Sequence, residues 1–248
     1  MAFLKTEALT CRFGGLVAVD SLDYSLKEGE LASIIGPNGA GKSTLFKVLM
    51  GSIYPTSGKI TFDGKDITKT PAHERLKMGI AKTHQITQIF PKLTVLENMG
   101  IAAQYRLNKG YKWFFLDKWN DEDTIKKSEN ILSQIDLHDR KDKVAGSLPQ
   151  GDKKRLEIGM AIATDPKLLL MDEPTAGSSP AETQVTVELI KQLSNTLTMV
   201  IVEHKLDVVM VLAKRITVMN RGKIIADGTP EEIRNNNKVR EIYLGETS

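Results

Sequence analysis

Gly36-Pro37-Asn38-Gly39-Ala40-Gly41-Lys42-Ser43-Thr44 is a complete GxxxxGK[ST] stretch whose residue types suit a chain of phosphates. Its glycines let the backbone curl until successive N–H groups face an anion, at a helix end whose dipole is already positive. Lys42 is then placed to reach β- and γ-phosphates, and the Ser43 hydroxyl to ligate magnesium. The second group able to do chemistry is Asp172-Glu173, two carboxylates that end the apolar run Leu168-Leu169-Leu170-Met171. An aspartate at the carboxyl end of such a strand can share the magnesium held by Ser43. Adjacent strand residues point to opposite faces, so Glu173 faces the nucleotide only if the chain leaves the strand there. Pro174 helps to end it. Glu173 could then orient or deprotonate a water that attacks the γ-phosphate in line. The loop predicts binding of ATP or GTP.

The elements needed to position these groups can be read around them. Leu31-Ala32-Ser33-Ile34-Ile35 is an apolar strand before the loop, and Leu45-Phe46-Lys47-Val48-Leu49-Met50 is helix-like after it. Upstream, Leu22, Tyr24 and Leu26 alternate with polar residues, and Lys27-Glu28-Gly29-Glu30 is a turn. Turn signals at Pro55-Thr56-Ser57-Gly58 and Asp63-Gly64 flank Lys59-Ile60-Thr61-Phe62, an antiparallel hairpin by pattern. From Thr94 to Ala163 the chain reads mostly helical, with Ile125, Ile131, Leu132 and Ile135 at helical spacing. An aromatic and basic insert from Tyr105 to Trp119 reads as packing for a helical hairpin. After Thr164, Lys167–Asp172 and Met199–Glu203 are buried strands by their continuous apolar character. Helices follow from Pro180 and over Lys205 to Ala213, then a hairpin of Ile216–Met219 and Lys223–Ala226 around Asn220-Arg221-Gly222. Strands and helices alternating on both sides of a helical insertion predict an α/β fold, a parallel sheet with an inserted subdomain.

Composition excludes several classes. The chain has 248 residues, enough for one large α/β domain, and ordinary apolar and charged fractions. No run approaches the roughly 18 apolar residues of a membrane span. Residues Met1 to Glu7 lack the apolar core of a signal peptide, so a cytoplasmic location is expected. Cys11 is the only cysteine, which excludes an internal disulfide and suits a small buried residue. A net charge of +3 does not argue for nucleic acid, and Lys153-Lys154-Arg155 reads as a solvated helix face. His73, His84, His138 and His204 lack metal-ligand spacing, and there is no GxSxG serine elbow.

Taken in order, these motifs resemble the nucleotide-binding subunit of ABC transporters over almost the whole chain. Phe13 in Arg12-Phe13-Gly14-Gly15 matches the aromatic that stacks on adenine. The phosphate loop follows, then Gln85 in Thr83-His84-Gln85, matching the glutamine that contacts magnesium and water and senses the membrane partner. Leu148-Pro149-Gln150-Gly151-Asp152 stands at the signature segment, which in that family grips ATP bound to the opposite subunit. Asp172 and Glu173 come next, then Ala176-Gly177-Ser178-Ser179 in the dimer-contact loop. His204 matches the histidine that holds the γ-phosphate. A finer resemblance, to ATPases of branched-chain amino acid uptake, rests on Leu93–Met99, Lys154–Ile158, Gly228–Ile233 and Tyr243–Glu246; amide and urea systems share much of it.

The resemblance implies a single P-loop NTPase domain of the RecA-like kind. Residues 1–93 and 164–248 would form the core, with an N-terminal antiparallel β subdomain, and 94–163 the helical signature subdomain. It implies ATP and Mg2+ as ligands. ATP would lie on Phe13 and the loop Gly36 to Thr44, and magnesium on Ser43, Asp172 and Gln85. Catalysis would fall to Glu173, His204, Gln85 and Lys42. Its partners would be a second ATPase subunit, membrane permeases and indirectly a solute-binding protein, with no nucleic acid, and the chain would sit on the inner membrane face. Two departures stand out. Pro149 replaces a serine, removing a hydroxyl and a backbone donor, and Ser179 replaces a common aspartate. Both predict a non-identical partner and two unequal ATP sites. A GTP switch is the contrasting class, but Asn108-Lys109-Gly110-Tyr111 lacks the final acid of a guanine-reading N-K-x-D element. A non-transport ABC ATPase and a nucleotide-binding module without catalysis compete with the transporter reading; a lone cassette with Glu173 and His204 intact favours neither.

Overall fold

A computed structural model describes residues 2–106 and 122–244 of the chain. Its centre is a six-stranded sheet in the order β10-β9-β3-β8-β7-β6. The strands are β3 (Leu31–Ile35), β6 (Ile80–Lys82), β7 (Leu168–Asp172), β8 (Thr198–Val202), β9 (Arg215–Asn220) and β10 (Lys223–Gly228). The first five run parallel, and β10 closes one edge as the antiparallel arm of the expected hairpin. Their side chains alternate between two cores, as the pleat requires. Leu31, Leu169, Met171, Met199 and Ile201 face the helical side, whereas Ala32, Ile34, Leu168, Leu170, Val200 and Val202 face the other.

That other side is covered by a four-stranded antiparallel sheet in the order β2-β1-β4-β5. Here β1 (Leu4–Phe13) and β2 (Leu16–Leu26) are far longer than the short strands expected from pattern. Three register shifts interrupt their pairing, and each displaces the apolar alternation that marks a strand in sequence. The hairpin of β4 (Ser57–Phe62) and β5 (Lys65–Asp66) turns at Asp63-Gly64, both at positive φ.

Helices α1 (Lys42–Leu49), α2 (Ala72–Lys77), α6 (Pro180–Leu193), α7 (Leu206–Leu212), α8 (Pro230–Arg234) and α9 (Asn237–Leu244) accompany the sheet. Residues 94–163 contribute α3 (Val95–Arg106), α4 (Glu122–Gln134) and α5 (Gln150–Ile162). A reciprocal cap starts α3, the Thr94 N–H donating to Glu97 and the Glu97 N–H to the Thr94 hydroxyl. Tyr105 is exposed; residues 107–119 of the aromatic insert, the segment 108–111, and Gly245 and Glu246 lie outside the described residues. Cys11 is buried, as expected.

One reading of the basic residues is overturned. Lys154 and Arg155 are buried in ion pairs on α5, not solvated. Arg155 reaches Asp152, Asp136 and the Ile135 carbonyl.

Candidate functional site

Strand order decides what meets at the carboxyl edge of the sheet. Four neighbouring strands, β3, β8, β7 and β6, end there and release the phosphate loop, His204, Asp172-Glu173 and Gln85 respectively. Their register brings the ends level, with Val202 opposite both Ile34 and Asp172. A cleft of about 330 Å³ is lined by Asn38 to Thr44, Gln85, Glu173 and His204.

The loop packs tightly at Gly41, whose φ of 103° lies in the left-handed region. A Cβ there would stand 2.2 Å from the Ala18 carbonyl of β2. The turn between β9 and β10 locks the same corner, the Gly222 N–H donating to Ala40 and the Asp20 N–H to Gly222. Helix α1 starts at Gly41 without a side-chain cap and with no acid in its first turn. Its leading N–H groups lack helical acceptors and favour an anion. Lys42 is only 5% exposed and donates to the carbonyls of Gly36 (2.7 Å) and Pro37 (3.1 Å). Burial pulls its pKa below the ordinary value, with the charges of Glu173 and Asp172 opposing that. The Ser43 side chain is exposed in the cleft.

The chain does leave the strand at Glu173. Its φ is 49°, a left-handed position that costs a non-glycine residue on the order of 1–3 kcal/mol. Its N–H is held by the Val202 carbonyl at 2.9 Å. Behind it, Glu203 is buried and accepts from the Thr175 N–H (2.9 Å) and hydroxyl (2.6 Å), so two strand ends brace the turn. The Glu173 carboxylate therefore bridges two groups, His204 Nε2 at 2.8 Å and Gln85 Nε2 at 3.1 Å. Asp172 does not line the cleft. Burial, then the Glu173 charge, holds its carboxyl above the usual range, and its Oδ1 is buried without a hydrogen-bond partner. That orphaned oxygen and the Ser43 hydroxyl fit a hard cation such as Mg2+, which needs one or two protein oxygens beside phosphate. Among the described residues no cluster of three acidic, His or Cys ligands forms.

Some expected residues are not brought together. Phe13 is 50% exposed and does not line the cleft; Leu16, Val17 and Ala18 from the start of β2 do. Their position directly after the Gly14-Gly15 turn was the available signal.

The signature segment is self-satisfied. Leu148 is buried, Pro149 caps α5 without a side-chain bond, and Gln150 is exposed with its amide 3.3 Å from the Thr87 hydroxyl. The Gly151 N–H donates to Glu182 Oε1 at 3.0 Å. A Cβ on Gly151 would collide with that side chain at 2.8 Å. Asp152 is buried and ion-paired with Arg155 and Arg140. Glu182 closes a capping box with Ser179 at the start of α6. The Ser179 N–H, then its hydroxyl and the Gly151 N–H, hold Glu182 below the usual carboxylate range.

The comparisons with known proteins agree with this geometry. Residues 19–176 match the ABC transporter family model, and 223–247 match that of the branched-chain amino acid ATP-binding cassette transporter. A Salmonella typhimurium protein, the high-affinity branched-chain amino acid transport ATP-binding protein LivG, is 39% identical over 98% of both chains. The Pseudomonas aeruginosa protein BraF, named in the same words, is 36% identical with the same coverage. The ADP conformation of an ATP-binding cassette of an ABC transporter superposes with a TM-score of 0.88 at 36% identity, covering 99% of this chain and 100% of that one. The chain belongs to the ABC transporter ATP-binding family.

Proposed function

We propose that this chain binds and hydrolyses ATP to power an importer of branched-chain amino acids. The observation that carries it is Glu173, fixed 2.8 Å from His204 and 3.1 Å from Gln85 beside the phosphate loop. Lys42 exchanges its bonds to the Gly36 and Pro37 carbonyls for bonds to phosphate in which both partners are charged. The N–H groups from Gly39 to Ser43 cradle the phosphates, and Phe13 with Leu16 offers apolar surface to adenine. Ser43, Asp172 and Gln85 would hold magnesium, which would supply positive charge against the phosphates. Glu173 accepts a proton from water as the new P–O bond forms and the γ-phosphate parts from ADP. His204 steadies the γ-phosphate by passing its Nε2 contact from Glu173 to a phosphate oxygen, which leaves the Glu173 carboxylate to the water.

In this reading residues 94–163 move as a helical lobe against a core of 1–93 and 164–248. Leu148 to Gly151 meet ATP held by a second, non-identical ATPase subunit. Membrane permeases and a solute-binding protein complete the transporter, and the chain lies on the inner membrane face. No helix among the described residues is long and apolar enough to cross a membrane. The match of residues 223–247 supports branched-chain amino acids as the solute.

Glu173→Gln should retain ATP binding while turnover falls by roughly 10²–10⁴. Near-parental turnover would remove Glu173 from this role. Uptake assays with the permeases should show leucine, isoleucine and valine competing with one another; competition by amides or urea instead would reassign the solute.

A further inference from the structure

Lys154 and Glu157 lie one turn apart on α5 and are 1% and 4% exposed. A buried ion pair persists only where its remaining hydrogen-bonding capacity is met. Here most of that capacity is spent on one loop, while Glu157 Oε2 has only the approach of Lys154. Lys154 Nζ stands 3.3 Å from Glu157 Oε2 and donates to the His84 carbonyl. Glu157 Oε1 accepts the N–H groups of His84 (2.9 Å) and Gln88 (3.2 Å). These contacts bracket Gln85.

The loop has little else to hold it. The ladder between β6 and β7 ends with the Thr83 N–H on the Leu170 carbonyl, and no backbone–backbone hydrogen bond then involves residues 84–89 among the described residues. Its path is set by side chains, chiefly this pair, with Gln85 on Glu173 and Gln150 on Thr87 as further ties. A pair serving only stability would be expected to bond within its helix or to the sheet; this one grips both backbone groups of the residue before Gln85.

We propose that Glu157 and Lys154 are positioning residues for hydrolysis, fixing the loop 84–88 to α5 so that Gln85 meets Glu173. Because α5 begins at the segment offered to the second subunit, a displacement of that helix is delivered to Gln85 as movement of the same body. This rests on the roles given above to Gln85 and Glu173.

The test uses the full chain. Lys154→Met with Glu157→Leu removes both charges and every bond to the loop while keeping volume, so the melting temperature should stay within about 3 °C of the parent. Amide hydrogen exchange at His84 and Gln88, measured without nucleotide, should accelerate roughly tenfold or more. The kcat for ATP should fall about tenfold with KM within about twofold, as expected when a group is misplaced and binding is kept. Lys154→Met with Glu157→Gln restores an acceptor for both N–H groups and should recover kcat to within about threefold of the parent. Combined with Gln85→Ala, the Met/Leu change should slow turnover no further than the slower of the two, since both act through Gln85.

Unchanged exchange, parental kcat in the Met/Leu variant, or losses that multiply with Gln85→Ala would each overturn the proposal. If Gln85→Ala alone left kcat intact while exchange still rose, the role of Gln85 would fail, and the catalytic part of the proposal with it.

Discussion

Two helix N-termini of this chain stand at phosphate-facing positions of the proposed cycle, and their donors are in opposite states. At α1, behind the phosphate loop, no acid and no side-chain cap engages the first turn. At α5, behind Leu148 to Gly151, the Gly151 N–H is held by Glu182 and Asp152 occupies the first turn in ion pairs. The same backbone dipole is thus open to an anion at one end of the molecule and already answered by carboxylates at the other. The first region also keeps its polar groups unsettled, with Lys42 depressed by burial and Asp172 Oδ1 without a partner. The open site is prepared for ATP in the single chain, whereas the second surface must first release Glu182.

The largest expected effect tests the open end. Lys42→Ala should weaken ATP binding about 100-fold by titration calorimetry, since hydrogen bonds to charged groups contribute about 1.5–3 kcal/mol. A loss of only a few-fold would mean that the backbone cradle carries the site without its lysine. In the same assay Glu182→Gln should leave the chain's own ATP affinity unchanged, because the Glu182 carboxylate bonds Ser179 and Gly151 and does not line the cleft.

The next effect is on stability. Asp172 binds its proton more tightly folded than unfolded, because burial raises its folded pKa. Folding then takes up a proton as pH rises from the ordinary carboxylate range through that raised value, so stability falls across this window and the full penalty persists above it. Asp172→Asn removes the penalty and should raise the nucleotide-free melting temperature at pH 8 by about 3 °C. The gain should shrink as pH falls toward the ordinary carboxylate range. Glu182 has the opposite sign, its folded pKa being depressed, so its contribution is present above the unfolded pKa and lost as pH falls through the folded one. A melting curve for Glu182→Gln that rose at pH 8 would contradict the view that this carboxylate is satisfied.

This contrast marks where sequence reading reaches. The phosphate loop and Asp172-Glu173 were legible as short runs at strand ends, Gln85 and His204 only through the family resemblance, and parallel strands carry all of them to one edge. Even the departure of Glu173 from its strand follows from the pleat. What escaped depends on partners distant in sequence. Lys153-Lys154-Arg155 looked solvated because nothing local places His84, seventy positions away, against Lys154. The bond that occupies the Gly151 N–H was not legible because Glu182 comes from another helix. Glu203 read as the end of a buried strand, and its bonds to Thr175 come from a different strand end.

The two smaller effects belong to the closed end and are best read together. In a Glu173→Gln background, which should hold ATP without rapid turnover, Glu182→Gln keeps the capping-box pattern at Ser179 but removes the charge on the Gly151 N–H. ATP-dependent association measured by light scattering should tighten about threefold to tenfold, the scale of one modest hydrogen bond released. Pro149→Ser should by itself do less. Its hydroxyl would cap α5 and add on the order of 1 kcal/mol to stability, yet association should barely change while Glu182 holds the neighbouring donor. With both changes the serine hydroxyl and the Gly151 N–H face the partner together, and the gain should exceed the product of the two separate gains. Simple multiplication would show that Pro149 and Glu182 act independently, and that the carboxylate is not what keeps this surface closed.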